Sequence, residues 1–77
     1  MTERRYLIVI ESAEGENYSA YAPDLPGCVA TGASLEHCES EMRDAIALHI
    51  EGLHETGQPV PEPSQLTATY VKVKVAA

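Results

Sequence analysis

The strongest constraint on this chain is a helical repeat from Leu35 to Thr56. At about 100° per residue, Leu35, Cys38, Met42, Ala45, Ile46, His49 and Leu53 fall in one arc, and Glu36, Ser40, Asp44, Ala47, Glu51 and Glu55 lie opposite. Ser34 precedes the repeat as a capping residue, with Glu36 and Glu39 near the positive pole of the helix dipole. Gly57 fits the position just past the end, and Pro59, Pro61 and Pro63 forbid continuation. A helix of about five or six turns thus occupies much of a chain of 77 residues. The remainder must cover its apolar arc within one domain, residues 1–77, because folding at this size removes only about 60% of the surface from water.

The other segments read as strands. Tyr6-Leu7-Ile8-Val9-Ile10-Glu11 is an apolar, β-branched run suited to the middle of a sheet, with both faces covered. Ala13–Asn17 supplies turn chemistry around Gly15, and Tyr18–Ala22 resumes a β pattern, so a hairpin is expected. Pro23-Asp24-Leu25-Pro26-Gly27 breaks the ladder before a short third strand, Cys28–Gly32. After the proline-rich connector, Thr67–Val75 alternates over nine residues, with Val71, Val73 and Val75 on one face and Lys72 and Lys74 on the other. The expected fold is α+β in the order β-β-β-α-β. Its mixed four-stranded sheet has spatial order 3-2-1-4, the last strand parallel to the first and the helix packed on one face.

Composition narrows the function. Five Lys+Arg against twelve Asp+Glu give a net charge of −7, which argues against direct nucleic-acid binding. No apolar run approaches the roughly 20 residues of a membrane span, so a cytoplasmic protein is expected. Cys28 and Cys38 are then expected to be reduced. The five-residue step from His49 to His54 and the Cys28…Cys38 spacing match no zinc pattern. His49 sits on the core arc, and His37 and His54 on the exposed one. Ser34 and Cys28 have structural roles as cap and packing residue, and neither Gly27 nor Gly32 opens a phosphate-binding turn. No catalytic constellation, metal or cofactor is expected.

The helix itself is acidic. Glu36, Glu39, Glu41, Asp44, Glu51 and Glu55 face the single base Arg43, a net −5. Such a face is either a solvated surface or a docking surface for a basic protein, steered by charge. Leu48 lies about 110° off the core arc by the helical step and is expected to be exposed, which suits an interface contact.

The stretch Tyr21-Ala22-Pro23-Asp24-Leu25-Pro26-Gly27-Cys28-Val29-Ala30-Thr31-Gly32-Ala33-Ser34-Leu35-Glu36 resembles the hallmark of HicB-type antitoxins. Ala45, Leu48, Glu51-Gly52-Leu53, Gly57 and Pro59-Val60-Pro61-Glu62-Pro63 extend the resemblance over nearly the whole chain. It implies a partial ribonuclease-H-like fold and a partner: a HicA-type toxin, a small basic mRNA-cleaving ribonuclease that the antitoxin inhibits in a type II toxin–antitoxin system. The expected contact residues are Asp24, Leu25, Glu41, Asp44, Leu48, Glu51 and Glu55. The loop residues Asp24 and Leu25 also admit a purely structural reading, as parts of a turn.

Two departures shape the expectation. Many members of that family append a DNA-binding domain, whereas this sequence runs only two residues past Val75, so DNA binding is not expected. The metal-binding carboxylates of ribonuclease H are also missing: the first strand has only Glu11 at its end and Thr67–Val75 holds no acid, so the protein is not expected to be an enzyme. The competing reading is a solitary homo-oligomeric regulatory or ligand-binding module without a toxin. Self-association as a dimer or tetramer is expected either way, covering the sheet face that carries Leu7 and Val9, or Tyr6, Ile8 and Ile10.

Overall fold

The computed structural model describes residues 3–13 and 17–76. Three antiparallel strands, β1 (Val9–Ala13), β2 (Asn17–Tyr21) and β3 (Val29–Gly32), precede one helix, α1 (Leu35–Glu55). The sheet order is β1-β2-β3. The centre of the turn expected over Ala13–Asn17 lies outside the described residues, but Ala13 pairs with Asn17 across the two strands.

Register divides the sheet into two faces, because successive side chains point to opposite sides. One cross-strand row is Ile10, Ala20 and Ala30. All three belong to the core, with buried Ala20, Ala22, Leu25, Cys28, Cys38 and Met42 at its centre. The adjacent row, Val9, Tyr21 and Val29, points away from the helix, and Val29 is 66% exposed. Small residues under the helix allow close approach: a Cβ built on Gly32 would stand 2.5 Å from the backbone nitrogen of Cys38.

Both helix ends follow the sequence. Ser34 Oγ accepts from the His37 N–H at 3.0 Å, which satisfies one of the free donors of the first turn. At the other end Gln58 N–H donates to the Leu53 carbonyl at 2.9 Å and Gly57 N–H to that of His54 at 3.2 Å. This pairing forms a Schellman motif and needs the left-handed conformation that Gly57 adopts at φ 71°. Leu35, placed on the core arc by its period, opens the helix ahead of the Cys38 contact and remains 47% exposed.

The fourth strand departs from expectation. Thr67–Val75 forms no strand, and among the described residues the sheet has three strands rather than the four of the expected order 3-2-1-4. Tyr70 is fully exposed, and Val71, Val73 and Val75 are 80%, 74% and 82% exposed. An alternating pattern specifies an extended backbone with one apolar face but not the sheet it joins. The molecule measures 54 × 28 × 21 Å with a radius of gyration of 15.1 Å. A compact chain of this length would have a radius of about 11–12 Å. In consequence β1 lies at the sheet edge rather than in the middle, and Leu7 to Ile10 are half-buried instead of covered on both faces.

Gly32→Ala should destabilise the fold by about 1–3 kcal/mol, because the new methyl meets helix backbone that no rotamer change can move. A urea midpoint unchanged from the parent protein, at equal protein concentration, would contradict this packing.

Candidate functional site

The five helical residues expected at an interface do converge. Glu41, Asp44, Leu48, Glu51 and Glu55 follow one another at steps of three and four, so they form a single stripe along α1. The stripe is about 21 Å long at 1.5 Å per residue. All five are exposed, and Leu48, 70% exposed, stands at its centre with two carboxylates on either side.

The electrostatics of this stripe are unfavourable to the chain itself. Glu41 has His37 at 3.3 Å, a cationic partner only when that histidine is protonated. Arg43 turns to Glu39 at 3.5 Å, off the stripe. Among the described residues Asp44, Glu51 and Glu55 have no ion-pair partner. Like charges three or four residues apart, such as Glu51 and Glu55, cost a helix roughly 0.2–0.5 kcal/mol per pair. A basic surface laid on the stripe would turn that repulsion into attraction.

The two loop residues have other employment. Leu25, for which a surface contact and a structural place in the turn were both open, is only 1% exposed and fills the core. The reason is local: Leu25 N–H donates to the Ala22 carbonyl at 3.1 Å and Cys28 N–H to the Leu25 carbonyl at 3.0 Å, closing turns that fold its side chain inward. Asp24 is half-buried and accepts from the backbone N–H of Ser64 at 2.8 Å and from the Ser64 hydroxyl. These bonds, the hydroxyl first, hold the Asp24 carboxyl below the usual aspartate range. The loop is thereby tied to the connector 40 residues away.

Two more contacts strap that connector to the body. Tyr6 OH donates to the Pro61 carbonyl at 2.6 Å, and Arg4 pairs with Glu62 at 3.0 Å. Beside this strap lies a groove of about 440 Å³, in which Tyr6 and Val60 face Ile46, Ala47 and Ile50 of α1. The sequence reading missed it. The pair Ile46 and Ile50, one helical turn apart, was the available signal.

Cys28 and Cys38 are free and buried, and burial raises the Cys28 thiol, which makes it a poorer nucleophile. No group of three or more His, Cys, Asp or Glu among them is placed to hold a metal ion. No helix is long and apolar enough to cross a membrane.

Residues 6–75 match the model of a HicB-like antitoxin of bacterial toxin–antitoxin systems. An uncharacterised 14.9 kDa protein of Haemophilus phage HP1, from the rep–hol intergenic region, is 33% identical over 61 residues, which is 79% of this chain and 45% of the phage protein. The chain therefore spans less than half the length of that relative. The UPF0150 protein Ta0767 of Thermoplasma acidophilum is 28% identical over 57 residues, 74% of this chain and 83% of its own. Among solved structures, a chain of a HicA3 and HicB3 toxin–antitoxin complex superposes with a TM-score of 0.67 at 33% identity, covering 78% of this chain and 69% of that one.

Because the folded state lowers the Asp24 pKa, its contribution to stability is present above the ordinary aspartate value near 4 and is lost as pH falls through the lower folded value. Asp24→Asn should therefore melt below the parent protein at pH 7, and the gap should close on acidification below about pH 4. Thermal melts across that range that keep a constant gap would show that the Ser64 contact does not favour the ionised carboxylate.

Proposed function

The chain belongs to the HicB-like antitoxin family, and from that premise we propose that it binds and inhibits a small basic mRNA-cleaving ribonuclease of the HicA type as the antitoxin of a type II toxin–antitoxin system. The observation that carries this reading is the self-repelling stripe of Glu41, Asp44, Glu51 and Glu55 around exposed Leu48. A ribonuclease must present positive charge to hold RNA phosphates, so its substrate surface is complementary to the stripe. The likeness to a chain from a toxin–antitoxin complex supports the same partner.

Inhibition in this reading is occupancy, not chemistry. The stripe covers the toxin's RNA surface, Leu48 supplies an apolar contact at the centre, and the carboxylates steer encounter from a distance. Asp24 acts from behind, by fixing the connector, and Leu25 by filling the core. The protein works in the cytoplasm, without a cofactor or bound nucleic acid. It self-associates as a dimer or tetramer, and in that assembly the sheet reaches four strands in the order 3-2-1-4 of a partial ribonuclease-H-like fold.

Reversing Asp44, Glu51 and Glu55 together to lysine should slow association with a purified HicA-type toxin by about 10- to 1000-fold at low salt. The difference should shrink as salt rises toward 1 M, where the screening length falls to about 3 Å. Stopped-flow association and an mRNA-cleavage assay read both effects. Equal rates for parent and variant would remove the stripe as the docking surface, and cleavage unaffected by the parent protein would favour the solitary module.

A further inference from the structure

Two parts of the single chain are left without partners, and they complement each other. One is Thr67–Val75, whose alternating valines, Val71, Val73 and Val75, are 74–82% exposed. The other is the outer edge of β1, whose backbone groups face no neighbouring strand, together with the groove under the second half of α1. An edge in this condition is a ready template for another strand.

The fit is one of length, polarity and charge. Nine extended residues span about 30 Å, enough to run alongside Tyr6–Ala13. Tyr6, Ile8 and Ile10 of that run pack toward the helix-side core, and Ile46 and Ile50 line the groove beside Tyr6 together with Val60 of the connector. A strand laid there with Val71, Val73 and Val75 toward the helix would fill the groove and leave Lys72 and Lys74 on the far face. The segment carries two of the chain's five bases and none of its twelve acids, and with its valines inward both lysines lie on the face turned away from Arg4, Arg43 and His54, which line the groove.

In its own chain only the start of the segment, at Thr67, lies beside Arg5–Ile8, and Tyr70, Val71, Val73 and Val75 stay exposed. The straps at Pro61, Glu62 and Ser64 fix the connector, and beyond them the valines find no cover. We propose that two copies exchange this strand: Thr67–Val75 of each adds to the β1 edge of the other, with its valines against Ile46 and Ile50. Exchange of one identical element is a low-cost route to a closed symmetric dimer. The inference deepens the self-association proposed above and is independent of whether a toxin binds.

The test uses the full chain, mixed from isotope-labelled and unlabelled copies after joint unfolding and refolding. Nuclear Overhauser contacts between the Val71, Val73 or Val75 methyls and those of Ile46 and Ile50 should appear between copies. Val73→Asp should lower the sedimentation mass from twice 8.3 kDa to 8.3 kDa while the helical circular dichroism is kept. A dimer whose valine-to-isoleucine contacts are all within one copy would overturn the exchange while leaving self-association intact. A parent protein that sediments as a monomer at micromolar concentration would overturn both, without bearing on toxin binding.

Discussion

Helix and sheet meet backbone against backbone, where Gly32 at the end of β3 lies so near the Cys38 turn of α1 that no Cβ would fit between them. From that point the helix is committed to one side of the sheet, and Cys38 and Met42, both fully buried, are pressed onto the alanines of β2 and β3. A core built from alanine, cysteine and one methionine is thin. It holds because its elements approach more closely than larger side chains would allow, so dispersion contacts compensate for small volume. Leu25, folded in from the loop, adds a large aliphatic side chain that is only 1% exposed.

Much of this was legible in the sequence. The helix was set by period and punctuation: Ser34 and Gly57 take the capping roles their chemistry predicts, and the end falls within a residue of Thr56. The three-strand meander was legible for the same reason, since alternation and turn residues act locally. Where the reading went astray, the deciding interaction was not local. The pattern of Thr67–Val75 is that of a strand, but pairing depends on a neighbour that the pattern does not name. Leu25 sits among turn residues, and only the hydrogen bonds around it turn the side chain inward. The carboxylate stripe was recoverable because positions three and four apart share a helix face whatever the tertiary context.

Charge and packing are kept apart in this chain. The acids crowd the outer face of α1, where the full dielectric of water moderates their repulsion. Of the five bases, Arg4 is spent on the strap and Arg43 on Glu39. Apart from His37 beside Glu41, the stripe has no ion-pair partner among the described residues, an arrangement that costs stability and favours encounter with positive charge.

The outer face of α1 and the edge of β1 lie on different sides of the molecule, the first turned from the core and the second bordering it. Occupying one therefore does not obstruct the other. Any assembly built through the sheet edge keeps one carboxylate stripe per copy in the open, so its valency toward a basic partner grows with its copy number. Two stripes held at a fixed separation raise the local concentration of the second for a partner already bound to the first, and a rebinding partner is retained longer than a single stripe would retain it.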